Sequence, residues 1–191
     1  MDLILASTSA YRRNLLERLQ IPFSTVAPDV DETALPEESA SALACRLAKE
    51  KSHAVAQRHP DALVIGSDQV ASIAGRSVGK PGSHQAAAEQ LQKSSGQQVD
   101  FYTGVALTCI ATGYSQTMVE RFSVVFRQLD PAEIEAYLVK EEPYDCAGSF
   151  KCEGLGIALF KKMIGDDPTS LEGLPLIATC RLLREAGVPV L

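Results

Sequence analysis

The sequence has no tryptophan, and aromatic residues make up only 6% of its 191 positions. A nucleic-acid surface that interleaves aromatic and basic side chains is therefore poorly supplied. Basic residues are also the minority, 18 Lys and Arg against 24 Asp and Glu, for a net charge of −6. That balance argues against a nucleic-acid partner, which needs a basic footprint, but leaves room for a local basic pocket that takes one small anion. No apolar run approaches the roughly 18 residues of a membrane span. Residues 1–13 carry their arginines after a short apolar run, the reverse of a secretory signal. The expectation is a soluble cytoplasmic protein with no membrane partner.

Other absences narrow the chemistry. The cysteines, at 45, 109, 146, 152 and 180, are odd in number and contain no CxxC pair, so they read as reduced thiols and not as a zinc site. There is no GxxxxGK[ST], which argues against a P-loop nucleotidase. HExxH and GxSxG are missing too, which removes the zinc peptidase and α/β-hydrolase readings. The histidines, His53, His59 and His84, sit at no ligand or triad spacing.

What is present fits a globular α/β protein. The length suits a single domain over 1–191, with room for two lobes around a cleft. Leu3–Ala6 reads as a short buried strand, and Ser7-Thr8-Ser9 supplies turn and cap chemistry before a helix over about 10–20. A second helix is expected over about 38–58, then a buried strand over 62–66. Ser83 caps a third helix that Gly96 closes. Residues 99–109 and 118–126 alternate with period two around a turn and read as a hairpin. Asp130-Pro131-x-Glu133 is a helix start, and a last helix is expected over about 175–186. Early alternation with a central hairpin implies a mixed, central sheet flanked by helices.

Three places depart from what structure alone would choose. Arg12 and Arg13 occupy the first turn of the first helix, where positive charge opposes the dipole unless an anion is shared there. Two solvated surface arginines are the even alternative. Lys51 falls on the apolar stripe of the second helix, where a lysine must snorkel, pair with an acid or serve a ligand. Asp68 follows the apolar run 63–66, just beyond a strand end, where ligand groups gather in open sheets, although turn-forming aspartates are common there. Lys80 in Gly79-Lys80-Pro81 and Glu32 in Val30-Asp31-Glu32-Thr33 add a cation and an acid. Cations, a metal and a positioned carboxylate are what cleavage of a triphosphate needs.

Taken in chain order, these segments resemble the Maf family. The matching stretches are Leu5 through Arg13, Val30-Asp31-Glu32-Thr33, Leu47-Ala48-Lys49-Glu50-Lys51, Ile65 through Val70, Gly79-Lys80-Pro81 and Ala147-Gly148-Ser149-Phe150. The resemblance implies an elongated fold like that of the inosine triphosphatase group, with a nucleotide in a central cleft. It implies a divalent metal, magnesium or manganese, and release of a nucleoside monophosphate and pyrophosphate. Asp68 would be the proton acceptor, with Glu32 beside it at the metal. Ser7, Ser9, Arg12, Arg13, Lys51 and Lys80 would hold phosphates. A homodimer is the assembly expected from the family and from the frequency of twofold dimers.

Three departures resemble the branch of the family that hydrolyses 7-methyl-GTP. Ala10-Tyr11 stands where proline commonly precedes the arginines, Ser67-Asp68-Gln69 replaces Ala-Asp-Thr, and Glu153 replaces a glutamine. Tyr11 can stack on a cationic purine, Glu153 can accept from the guanine edge and offset its charge, and Gln69 can read another edge. Two alternatives stay open: a pyrophosphatase for dTTP, UTP or another modified nucleotide, and a nucleotide-binding regulator of septum formation with little turnover.

Overall fold

The computed structural model describes residues 2–191, in which strands and helices alternate around one mixed sheet. The strands are β1 (Leu3–Ala6), β2 (Ser24–Thr25), β3 (Leu63–Ile73), β4 (Arg76–Val78), β5 (Gln98–Cys109), β6 (Tyr114–Phe126) and β7 (Phe160–Ile164). The helices are α1 (Ala10–Glu17), α2 (Ala40–Ala56), α3 (His84–Ser94), α4 (Pro131–Glu141) and α5 (Leu176–Glu185). The sheet runs β2-β1-β3-β5-β6-β7, with β4 on the far part of β3. Pairing is parallel on either side of β1 and antiparallel elsewhere. The mixed α/β class expected from the sequence is the one observed.

Local signals set the helix ends. Ser9, Ser39 and Ser83 accept from backbone N–H groups in the first turns of α1, α2 and α3. Asp130 and Glu133 form a complete capping box on α4, with Pro131 in its first turn. α1 ends at Glu17, before the expected limit near 20, because Gln20 takes a left-handed backbone (φ 56°) ahead of Ile21-Pro22.

The strand expected to stop at Gly66 instead runs through Asp68 to Ile73. It changes neighbours on the way. Ala6 of β1 pairs with Gly66, and β4 takes over only at Ala71. Between them, residues 67–70 have no strand on that edge, while β5 pairs with them on the other. The sheet is thereby notched where β1 turns into α1. Asp68 lies beyond the end of β1's pairing, in the middle of its own strand, and its residue type broke the apolar run that sequence reading relied on.

Alternation along β3 distributes its side chains between two layers. Val64, Gly66, Asp68 and Val70 face α2, while Ile65, Ser67, Gln69 and Ala71 face the opposite side. The α2 backbone lies close to the sheet. A Cβ on Gly66 would collide with the Ala48 carbonyl oxygen and stand 2.5 Å from the Ser52 amide nitrogen, and one on Gly104 would collide with the Ala44 carbonyl oxygen. On the opposite face, Leu15 and Leu16 of α1 and Leu182 and Leu183 of α5 pack on β1, β3 and β5. Farther along, Phe101, Phe126, Phe150 and Phe160 interlock edge-to-face at centroid distances of 4.8 to 5.7 Å. No helix of the described residues is long and apolar enough to cross a membrane.

Gly66→Ala is expected to force α2 off the sheet and to destabilise the protein by roughly 1–3 kcal/mol, the usual range for overpacking a core. Urea unfolding checks this, and an unchanged midpoint would mean that the helix does not rest on that glycine.

Candidate functional site

The notch opens into a cleft of about 760 Å³, lined by the β1–α1 turn, α2, β3, β4 and the segments 145–153 and 171–173. At its floor α2 delivers Lys51. The stripe of Ala40, Leu43, Ala44, Leu47 and Ala48 is buried against the sheet, and Lys51 continues it at 4% exposure. Its Nζ donates to Asp68 Oδ1 at 2.6 Å and stands 2.5 Å from Glu32 Oε1. The lysine thus pairs with acids, one of the outcomes its position allowed. Gly66 and Gly104 make the pairing possible, because a helix held farther away would not bring the ammonium to mid-strand.

Glu32 belongs to the loop between β2 and α2, and its side chain is largely exposed. Arg46 of α2 ties that loop down, donating to both carboxylate oxygens of Glu38 at 2.8 Å and to the Thr33 carbonyl at 3.0 Å. The two bonds from Arg46 hold the Glu38 carboxyl down at about 2. Burial raises the Glu32 carboxyl, but the bond from Lys51 and the charges of Lys51, Lys80 and Arg12 outweigh it, leaving the group below its ordinary value.

The turn after β1 is built by its hydroxyls. Ser7 Oγ accepts from the Ser9 amide at 3.1 Å, and Ser9 Oγ caps α1 by accepting from the Arg12 amide at 3.4 Å. The first turn of α1 holds no acid, so its N-terminus faces the cleft uncompensated. The two arginines separate here. Arg12 lines the cleft and donates from Nε to the Gly173 carbonyl at 2.9 Å. Burial lowers its guanidinium and the nearby charges of Asp68 and Glu32 raise it. Arg13 turns away to the surface and pairs with Glu17 at 3.0 Å, its side chain 62% exposed. Lys80 lines the cleft from the exposed turn after β4.

A second group of lining residues surrounds Tyr11. Burial, and then the neighbouring Cys146, Asp145 and Glu153, push its phenol up to about 12. Burial and the charge of Asp145 raise the Cys146 thiol to about 12, and burial and Glu153 do the same for Cys152. Both thiols stay protonated near neutral pH and are poor nucleophiles there. Burial raises the Glu172 carboxyl as well, with Arg18 opposing and Glu153 adding to the shift. Gln69 also lines the cleft, but its amide nitrogen is engaged, donating to the Ser170 and Leu171 carbonyls at 2.7 and 3.0 Å.

Of the residues singled out in the sequence, Ser7, Ser9, Tyr11, Arg12, Glu32, Lys51, Asp68, Gln69, Lys80 and Glu153 line this one cleft, and Arg13 does not. Sequence reading passed over Asp145, Cys146, Cys152, Glu172 and Gly173, which line it too. The first three flank the recognisable 147–150 segment. Nothing in the local pattern distinguishes Glu172 from a solvated acid. All five cysteines are free thiols. Among the described residues no three His, Cys, Asp or Glu side chains gather as a metal cage. Two carboxylates, Glu32 and Asp68, converge in the cleft. That donor set fits magnesium, which takes one or two protein carboxylates and fills its other positions with substrate phosphates and water.

The Maf-like protein family model matches residues 2–186, and the chain belongs to that family. Three similar proteins are each named 7-methyl-GTP pyrophosphatase. One, from Albidiferax ferrireducens, is 56% identical over 99% of this chain and 95% of its own length. Another, from Polaromonas, is 54% identical over 97% and 85%. The third, from Nitrosococcus oceani, is 53% identical over 99% and 95%. Among solved structures, a nucleoside-triphosphatase / dITP/XTP pyrophosphatase from Mycobacterium abscessus aligns over 98% of both chains at 14% identity with a TM-score of 0.47, a loose likeness.

Because the Glu32 carboxyl lies below its ordinary value of 4.5, its contribution to stability is present above that value and is lost as pH falls through the lowered one. Wild type should therefore exceed Glu32→Gln in urea midpoint at about pH 7, with the gap narrowing as the pH is taken progressively below the ordinary carboxylate range. A gap that ignores pH would rule out the pairing with Lys51 as its source.

Proposed function

We propose that this protein is a nucleoside triphosphate pyrophosphatase that hydrolyses the α–β phosphoanhydride bond of 7-methyl-GTP, giving 7-methyl-GMP and diphosphate. The observation that carries the chemistry is the convergence of Lys51, Arg12 and Lys80 with Asp68 and Glu32 in one cleft. Relatives of that name, more than half identical over almost the whole chain, support the substrate.

In this reading the phosphates lie over the β1–α1 turn. Ser7 and Ser9, the free amides of α1, and the Arg12 guanidinium bind them, with Lys51 and Lys80 adding charge. Lys51 holds Oδ1 of Asp68, which leaves Oδ2 to accept the proton of the attacking water. As that water adds to phosphorus, the bridging oxygen departs with the diphosphate, and cations already in place stabilise the charge that develops. A divalent metal, magnesium or manganese, held by Asp68 and Glu32 would neutralise phosphate charge and acidify the water. Arg13 has no part in this arrangement, because it faces away from the cleft.

The base would lie among Tyr11, Gln69 and Glu153. N7-methylguanine is cationic, and the acids at 145, 153 and 172 supply a matching field. Tyr11 offers an aromatic face, Glu153 accepts from the guanine N1–H and N2–H₂ edge, and Gln69, with its nitrogen engaged, offers only its carbonyl oxygen. Five free thiols suit a reducing compartment, so we assign the protein to the cytoplasm, as a homodimer acting on a free nucleotide.

Diphosphate release from 7-methyl-GTP, GTP, UTP and dTTP with magnesium tests this reading. Wild type is expected to prefer 7-methyl-GTP, and Asp68→Ala to lose at least about 100-fold in kcat, the lower range for removal of a general base. Turnover of UTP or dTTP instead would keep the chemistry and overturn the base assignment. Nucleotide binding without hydrolysis would favour a regulator. Glu153→Gln should cut the preference for 7-methyl-GTP over GTP by roughly tenfold or more, as expected for loss of a charge-assisted bond. An unchanged ratio removes Glu153 from base recognition.

A further inference from the structure

Residues 167–173 cross the sheet face opposite α2 as a strap. Asp167 anchors one end, its Oδ1 accepting from the Thr169 amide at 3.0 Å and its Oδ2 from the Ile177 amide of α5 at 2.7 Å. The sheet holds the rest through the side chains on either side of Asp68 and through Thr103 of β5, whose hydroxyl donates to the Ser170 carbonyl at 2.8 Å. Gln69 Nε2 donates to the Ser170 carbonyl at 2.7 Å and the Leu171 carbonyl at 3.0 Å. Ser67, fully buried, shares its single hydroxyl proton between the carbonyls of Gly104 at 2.7 Å and Gly173 at 2.9 Å. The Gly173 carbonyl also accepts from Arg12 Nε at 2.9 Å. Gly173 adopts φ +108°, a backbone conformation that side-chain-bearing residues rarely take, and this presents the carbonyl between serine and arginine.

We propose that Ser67 and Gln69 are positioning residues for Arg12: they fix the strap, and the strap's Gly173 carbonyl fixes the guanidinium that receives phosphate. The inference rests on the reading of Arg12 as a phosphate ligand. A free arginine side chain samples many rotamers, whereas one held at Nε by a fixed carbonyl has its guanidinium plane set and its two terminal nitrogens left to form a fork for phosphate oxygens. Ser67 is the side chain that bonds the Gly173 carbonyl itself, and Gln69, with Thr103 of β5, holds the strap just before it. Strand alternation explains the division of labour. Asp68 faces the α2 side, so its neighbours Ser67 and Gln69 necessarily face the strap. One stretch of strand then places both the carboxylate on one side and, at one remove, the arginine on the other.

Inorganic triphosphate, which has no base, separates this role from any contact of Gln69 with the nucleobase. Its affinity for the whole protein with magnesium would be measured by calorimetry for wild type, Ser67→Ala, Gln69→Ala, Arg12→Ala and the two doubles with Arg12→Ala. Each single change is expected to weaken binding several-fold to about tenfold, and each double to bind no more weakly than Arg12→Ala alone, the non-additivity of residues acting through one another. Ser67→Cys, which keeps a weak donor, should recover part of the loss. Additive losses, or wild-type affinity in both Ser67→Ala and Gln69→Ala, would overturn the proposal, as would failure of wild type to bind triphosphate. If Ser67→Ala does not fold, the Gln69→Ala cycle decides alone. A protein that shows the coupling but hydrolyses no nucleotide would contradict the proposed function and leave this inference standing. Hydrolysis of 7-methyl-GTP with additive losses would do the reverse.

Discussion

The ammonium of Lys51 is withdrawn from water and held between Asp68 and Glu32. Taking a charge out of solvent is costly unless opposite charge meets it at close range, so each of the three segments involved is constrained in position. α2 must approach β3 closely enough for a lysine to reach mid-strand, which two glycines under its backbone permit. The loop carrying Glu32 must stay folded back, which the Arg46–Glu38 pair secures. β3 must extend past the end of β1, which exposes Asp68 to the notch. Most of the geometry of the cleft follows from accommodating this one buried cation.

Around that centre the cleft carries charge of both signs in separate places. Arg12, Lys51 and Lys80 gather near Asp68, whereas Asp145, Glu153 and Glu172 gather near Tyr11 and the two protonated thiols. The arrangement suits a ligand that is itself anionic in one part and cationic in another. A triphosphate attached to a methylated, positively charged purine has that distribution; a triphosphate attached to a neutral pyrimidine has only half of it. Electrostatic complementarity of this kind favours the right partner and penalises the wrong one.

Much of the fold was legible because it is written in local chemistry. Ser39 and Ser83 start α2 and α3, Asp130-Pro131-x-Glu133 starts α4, and period-two alternation marks β5 and β6. The apolar stripe of α2 made Lys51 conspicuous, and arginines in place of acids in the first turn of α1 drew attention to that helix start. These are properties of residues a few positions apart, which sequence spacing records directly. β3 was harder. Ser67, Asp68 and Gln69 give it a polar middle, tolerated because each side chain finds a specific partner in α2 or the strap, and those partners are distant in sequence.

The neighbouring arginines mark the boundary between the two kinds of information. Sequence alone determined that a strand–turn–helix carries hydroxyls and guanidinium groups where an anion would be favoured. It treated Arg12 and Arg13 alike, since both lie in the same helical turn. Successive residues on a helix point about 100° apart; Tyr11 and Arg12 line the cleft, and the next step carries Arg13 round to the surface. Tertiary packing chose Arg12, because burying Leu15 and Leu16 against the sheet fixes the rotation of α1 and because the Gly173 carbonyl, some 160 residues away, accepts its Nε. Which of two identical side chains faces the cleft depends on the orientation of the whole helix, and that is settled by contacts between segments that the linear sequence keeps far apart.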